Sequence, residues 1–317
     1  GLEWLNDMDS LCLANVQLRF IQAINGFFDG EVGYPKFKKK HSCKDAYTTN
    51  LANRENPNLF LDGCLLKLPK IKNPIKLRLH RQIRPGGILK NCTVTHEPNG
   101  KWYFSLVFEY PKIEISKTAD EKDHSKIQAI GLDMSLPELY VDSDGNTPLY
   151  PKPYRKIDIK IAREQHRLSL MERDSNNYKK QKIRIAKLHA KAKHQRADFL
   201  HKQSYALTTQ YDLICIEDLD MAAIKKTLFF GKSASDNGWG MFTRMLDYKA
   251  DWYGCTIIRT DRWFPSSKTC CACGHVHKEL KLSDRQFVCP QCGNAMARDH
   301  QAAVNILNEG MRLYLKN

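Results

Sequence analysis

Four cysteines near the carboxyl end fall into two pairs with metal-binding spacing. Cys270 and Cys273 form one C-x-x-C, Cys289 and Cys292 form another after fifteen intervening residues, and Gly274 and Gly293 follow the pairs directly. A glycine there lets the chain turn tightly beneath an ion. Two such knuckles close a tetrahedral thiolate site with Zn–S distances of about 2.3 Å. A redox dithiol calls for a single pair beside a βαβ unit, so zinc is the favoured reading. Sulfur at all four positions leaves no place for a water, which makes this zinc structural and leaves Cys271 as a spare thiol. The chemistry must come from elsewhere, and the nearest candidate is Asp299, at the start of the helical-looking stretch A-R-D-H-Q-A-A-V-N-I that ends at Ile306.

Two more carboxylates stand in comparable places. The apolar run beginning at Ile127 ends on Asp133, and Asp212-Leu-Ile-Cys-Ile ends on Glu217. In α/β sheets ligands collect at the carboxyl ends of strands, so acids distant in sequence can converge there. Three acids suffice to hold two hard cations such as Mg2+ roughly 3.5–4 Å apart, and such a pair activates water and stabilises the leaving oxygen of a phosphodiester. Taken singly, each acid has a plainer reading as a strand-end or helix-capping residue, and spacing alone does not choose between the two.

The elements that must position these groups are partly legible. Trp4, Leu5, Met8, Leu11, Leu18, Ile21, Ile24, Phe27 and Phe28 recur at threes and fours, which predicts one amphipathic helix before Gly30. From Leu59 to Tyr110 the period changes to two, with Asn99-Gly100 as a hairpin turn, which predicts a small antiparallel β-barrel or sandwich. Residues 113–128 read as a linker. Strands are then expected at 127–133, 139–142, 212–217 and 255–258, helices over 152–207 with a break at Asn176-Asn177, and further helices over 239–253 and 298–315.

The chain's 317 residues, 42% of them hydrophobic, can bury a sizeable core in two or three domains. With 50 Lys and Arg against 35 Asp and Glu, the formal charge of +15 points to a polyanionic partner. Residues 152–202 hold 16 of the basic residues against 5 acidic ones. This one-sided excess marks Arg155, Lys187, Lys191 and Arg196 as candidate phosphate contacts. In the run from Tyr34 to His41, the side chains of Tyr34, Lys36, Lys38, Lys39 and Lys40 interleave an aromatic ring with cations, a pattern that pairs phosphate contact with stacking. The cysteines outside the two pairs are scattered, which indicates reduced thiols and a cytosolic or nuclear compartment. No stretch has the length of a membrane span and no signal peptide is visible. Because the chain opens at Gly1 within a helical pattern, an upstream segment is expected.

Several motifs follow one another in the chain: G-Y-P-K-F-K-K-K, L-K-L-P-K, I-G-L-D-M-S with V-D-S-D-G, I-C-I-E-D-L, D-N-G-W-G-M-F, L-D-Y-K-A-D-W-Y-G, R-W-F-P-S-S-K-T-C-C-A-C-G, C-P-Q-C-G and R-D-H-Q-A-A-V-N-I. In that order they resemble the TnpB family, transposon-encoded RNA-guided nucleases related to compact type V CRISPR effectors and to Fanzor proteins. The resemblance implies an α/β fold plus a β-barrel: a RuvC-type RNase H fold with an inserted zinc ribbon, preceded by a wedge β-barrel and a helical recognition segment. The expected segments are 1–41 (recognition), 42–125 (wedge and linker), 126–262 (RuvC-like, including the basic helices 152–208), 263–297 (zinc ribbon) and 298–317 (final RuvC helix).

Residue by residue, Asp133, Glu217 and Asp299 match the family's catalytic acids, which hold Mg2+. Cys270, Cys273, Cys289 and Cys292 match its zinc ligands. Ser10, Thr49 and Asn50 are candidates for reading the short duplex motif beside the target. The implied partners are a guide RNA and double-stranded target DNA, with no membrane, in a prokaryotic cytoplasm and on the nucleoid when bound to DNA. The alternatives are an RNA-guided DNA-binding regulator that does not cleave and a compact type V effector. Gln301 departs from the family, which has Asn there; the amide is kept and its reach is longer.

Overall fold

The computed structural model describes residues 3–37, 45–111, 127–150, 153–221, 238–281 and 283–316, leaving aside the side chains of 153–156. The chain divides into two compact units, residues 1–113 with 168–187, and residues 114–167 with 188–317.

In the first unit the expected single amino-terminal helix is interrupted. A 3-10 turn at Glu3–Asp7 precedes helix α1 (Ser10–Phe28), because Asp9 takes an extended conformation and accepts the Leu11 N–H at 3.3 Å as N-cap. Strands β1 (Asp45–Asn50), β5 (Ile88–His96) and β6 (Trp102–Glu109) form one antiparallel sheet, and β2 (Phe60–Asp62), β3 (Leu65–Lys67) and β4 (Ile75–Lys76) form another. Both contribute to one core containing Leu59, Leu66, Leu68, Leu89, Cys92 and Val94. The β5–β6 hairpin turns where expected: Gly100 has φ 78°, and Asn99 Oδ1 accepts the Lys101 N–H at 2.8 Å. Strand β1 joins this sheet beside β5, and α1 is tied to it by Asn15 Nδ2 donating to Thr48 O at 3.0 Å and by Arg19 donating to Thr48 Oγ1 at 2.6 Å.

The second unit is built on a sheet of order β10-β9-β7-β8. Strands β7 (Ala129–Ser135), β9 (Leu213–Glu217) and β10 (Thr256–Thr260) are parallel, and β8 (Leu139–Asp142) returns antiparallel from β7. Helices α2 (Pro153–Ser169) and α3 (Asn176–Gln210) are separated by a bend, and residues 168–187 around it belong to the first unit. There Asp174 has φ 63° and Ser175 Oγ accepts the Tyr178 N–H at 3.1 Å. Asn176 and Asn177 therefore open the second helix instead of breaking one, since the serine before them supplies the cap. Helix α4 (Trp239–Tyr253) is flanked by Gly238 and Gly254, both at positive φ.

Side chains alternate across a strand, so each strand serves two faces. Ile130 and Leu132 of β7 and Ile214 and Ile216 of β9 pack on Leu200 and Leu207 of α3 and on Trp239, Phe242, Met245 and Leu246 of α4. The opposite parity, including Ala129, Leu213 and Cys215, packs on Ile306, Leu307 and Met311 of helix α5 (Arg298–Tyr314). Gly131 is where α5 comes closest to the sheet: a Cβ there would collide with the Ala303 carbonyl oxygen and lie 2.8 Å from both Leu307 N and Leu307 Cβ. Backbone is in the way, so no rotamer change can relieve the contact.

Gly131→Ala is therefore expected to cost at least ~3 kcal/mol, the upper end for overpacking. Its denaturant midpoint compared with wild type measures this.

Candidate metal centres

Asp133 and Glu217 are brought together by strand register. Leu132 of β7 pairs with Ile216 of β9 in parallel, so the two acids occupy the next position on neighbouring strands, at the carboxyl end of the sheet. Parallel strands lie about 4.8 Å apart. Both acids share the parity of Gly131 and Cys215, which turns them toward α5. Asp299 is one helical turn before Ala303, and Asp133 is two strand residues beyond Gly131, so the close crossing at Gly131 brings Asp299 near enough for its charge to act on Asp133.

The electrostatics agree. Burial pushes the Asp133 carboxyl well above the usual carboxylate range, and the charges of Glu217 and Asp299 push it further, while the Arg298 guanidinium and the Met134 N–H oppose them only in part. Glu217 is also raised by burial, against the Ser266 hydroxyl, which donates to its Oε1. The cluster has a surplus of negative charge, which is chemistry suited to hard cations with oxygen ligands.

The four cysteines form the second centre. Their Sγ atoms all lie within 4.8 Å of one another, with Cys270–Cys292 and Cys273–Cys289 at 3.6 Å. A tetrahedral ion with bonds of about 2.3 Å needs sulfur separations near 3.8 Å, so the site fits zinc. The two knuckles repeat each other: Cys270 N donates to His275 O and Cys289 N to Asn294 O, each at 2.8 Å, and Gly274 and Gly293 both have φ 73°. Burial works against ionisation of Cys270 and Cys289, yet the backbone N–H groups of Ala272, Cys273, Gln291 and Cys292 overcome it and lower both thiols. The second knuckle lies on the hairpin of β11 (Gln286–Val288) and β12 (Ala295–Ala297), which runs directly into α5.

The two centres are joined by two amides, Gln301, which the sequence marks as a departure from the family, and Asn305, which sequence reasoning missed. Gln301 is 0% exposed; its Nε2 donates to Thr269 O at 2.9 Å and its Oε1 accepts from Asn294 Nδ2 at 3.4 Å. One turn on, Asn305 Nδ2 donates to Ser266 O at 2.7 Å and Thr269 O at 2.6 Å. Arg298 NH1 donates to Lys281 O at 3.2 Å, and its NH2 to Ser267 Oγ at 3.4 Å. The longer Gln side chain at 301 thus reaches both knuckles while the helix carries Asp299. Two polar residues at i and i+4 on an otherwise apolar helix face were the available signal for the pair.

The other candidates are dispersed. Ser10, Tyr34, Lys36, Lys187 and Lys191 are exposed, Arg196 is half-buried, and Asn50 donates to Asn15 Oδ1 at 3.4 Å. Thr49 is 0% exposed, so its side chain faces the interior and not a duplex. Lys38, Lys39, Lys40 and the Arg155 side chain lie outside the described residues. No helix among the described residues is long and apolar enough to cross a membrane.

Comparison with known proteins bears on both centres. Residues 239–306 match the family described as "Cas12f1-like, TNB domain", and residues 106–228 match the family described as "Probable transposase". A protein of Streptomyces pristinaespiralis, provisionally named an RNA-guided DNA endonuclease, is 31% identical over 312 residues, covering 98% of this chain and 74% of that one. The chain belongs to the TnpB family. A second relative, the Escherichia coli K12 protein InsQ with the same provisional name, is also 31% identical and is matched over 97% of this chain and 76% of its own. Among solved structures, the cryo-EM structure of Cas12f1 with its sgRNA and target DNA superimposes with a TM-score of 0.54 at 14% identity. It covers 90% of this chain and 68% of that one, so this TnpB-family chain shares its fold.

Asp133→Asn tests the electrostatics without any metal. Because the folded-state pKa is raised, ionising Asp133 destabilises the fold as pH rises above its ordinary value. The variant is expected to melt higher than wild type near pH 7 in metal-free buffer, with the gain fading as pH falls and Asp133 is protonated. Asn305→Ala is expected to cost about 1–3 kcal/mol, read by a denaturation midpoint, because it takes the amide donor from the Ser266 carbonyl while Thr269 O keeps Gln301.

Proposed function

We propose that this protein is an RNA-guided DNA endonuclease that hydrolyses phosphodiester bonds with two divalent cations, Mg2+ by expectation, held by Asp133, Glu217 and Asp299. What supports the reading is that the charges of Glu217 and Asp299 both act on the buried Asp133 carboxyl, which burial raises as it does that of Glu217, with the Arg298 guanidinium to offset them. The names of the bacterial relatives and the RNA and DNA of the Cas12f1 structure supply the substrate class. When bound, the cations supply an activated water and stabilise the leaving oxygen, giving a 3′ hydroxyl.

The residues of the chain then have defined tasks. Ser266 holds one oxygen of Glu217 and leaves the other free to face the cluster. Arg298, held by the ribbon, tempers the negative charge on Asp133. Asp299, in the first helical turn, is held by α5, whose start the ribbon fixes, so zinc at the cysteines serves order and not chemistry. Base pairing with a transposon-derived guide selects the sequence, while the protein grips backbone and shape. Lys187, Lys191 and Arg196 of α3, with Tyr34 to His41, are the surfaces assigned to that grip. Residues 1–41 and 42–125 are assigned to recognition and wedge roles. The bacterial relatives support a prokaryotic cytoplasm.

The test is incubation of the purified protein–RNA complex with Mg2+ and guide-matched DNA. Cutting is expected, with Asp133→Ala slowing it by ~10²–10³-fold or more while guide-dependent binding persists. Binding without cutting by wild type contradicts the reading. With 6 to 10 phosphate contacts, affinity should fall about 10³- to 10⁵-fold between 50 and 200 mM salt. A flat salt response removes the case for the basic surfaces.

A further inference from the structure

The short segment between β10 and the ribbon is pinned at two points beside the carboxylates. Arg262 NH2 donates to Asp218 Oδ2 at 3.0 Å, and Asp218, the residue after Glu217, bonds through its own N–H to Thr260 O at 3.1 Å. Four residues beyond Arg262, the Ser266 hydroxyl donates to Glu217 itself. Between the two ties the backbone turns sharply. Asp261 Oδ1 accepts the Trp263 N–H at 2.7 Å, Asp261 O accepts the Phe264 N–H at 3.0 Å, and Phe264 O accepts the Ser266 N–H at 2.8 Å. On this ordered turn Trp263 is 84% exposed.

An isolated surface tryptophan is ordinary. Here the backbone that carries it is tied on both sides to residues 217 and 218, and its Cα is no more than about 11 Å from that of Ser266. The indole therefore stands in solvent on a turn anchored to Glu217 and Asp218. Every base offers a π-face whatever its identity, so aromatic stacking holds a strand without reading sequence. A site that must cut whatever sequence the guide selects needs a contact of that kind, because hydrogen bonds to base edges would restrict it.

We propose that Trp263 stacks on an unpaired nucleobase of the DNA strand being cut, next to the scissile phosphate, and so positions that phosphate against Asp133, Glu217 and Asp299. The proposal rests on the nuclease reading above. It adds a substrate contact outside the acids and outside the basic surfaces.

The test pairs protein variants with damaged substrates. Wild-type, Trp263→Ala and Trp263→Phe complexes are given Mg2+ and matched DNA in which nucleotides around the cut are replaced singly by abasic residues. Wild type is expected to lose about 5- to 100-fold in single-turnover rate at one abasic position, the worth of one stacked base. Trp263→Ala should lose a similar factor on intact DNA and nothing more on that abasic substrate, while Trp263→Phe keeps most of the rate. Melting temperature and guide-dependent binding should match wild type.

Independent, multiplying losses, or wild-type cutting by Trp263→Ala, overturn the proposal. If the alanine variant is unstable, the abasic scan on wild type decides, and the lack of any sensitive position overturns it. If wild type binds matched DNA without cutting, the nuclease reading fails, and fluorescence then judges the stack. Quenching on DNA binding that disappears in Trp263→Phe supports it, and quenching unchanged in that variant overturns it.

Discussion

Helix α5 can lie on the sheet as closely as it does only because strand position 131 has no Cβ. With the Ala303 carbonyl and the Leu307 backbone pressed against that glycine, the helix has one height and one register over β7, and Gly310 makes a second close approach at Cys215 of β9. Two contacts along one helix fix its direction across both strands that carry acids. Asp299 then has no freedom beyond its own rotamer. Packed interiors transmit displacement instead of absorbing it, so a shift of the crossing would reach the carboxylates directly.

The ribbon acts on the same helix from its other side. Its second knuckle leads through β12 straight into Arg298, and its first knuckle is bonded through Thr269 to Gln301 and Asn305. Both knuckles must be in place for the start of α5 to be held, and the four thiolates hold the knuckles together once a metal neutralises them. On the proposed function, a metal at the cysteines is thereby a condition for chemistry at the carboxylates. The segment that leads into the ribbon also supplies Ser266 to Glu217 and ties Arg262 to Asp218, so the surroundings of two of the acids depend on one stretch of chain.

Much of this was legible before the fold was known, and the reasons are physical. Asp133 and Glu217 stood out because a buried parallel strand is a continuous apolar run and its end is marked by the first charge. The cysteines stood out because metal geometry fixes their spacing. Strand β1 did not, because Asp-Ala-Tyr-Thr-Thr-Asn has no apolar alternation and is a strand by virtue of its pairing with β5. The bend before α3 was placed at Asn176 when Ser175 supplies the cap, a shift of one residue that only the hydrogen bond reveals. Asn305 and Ser266 were missed as roles, since their partners are backbone carbonyls and a carboxylate 49 positions away. Thr49, a candidate for surface contact, is buried, and so is Thr48 beside it, because β1 is covered on both faces, which no local pattern discloses.

The claim on which the rest depends is that the crossing of α5 makes one cation site out of three separate acids. Electron paramagnetic resonance of Mn2+ added to zinc-loaded protein addresses it directly, because two ions roughly 4 Å apart couple their spins. The expected result is a coupled pair in wild type that disappears on replacing Asp133, Glu217 or Asp299 singly by alanine. A coupled pair that survives Asp299→Ala, or wild-type protein that binds no Mn2+ pair, would contradict it.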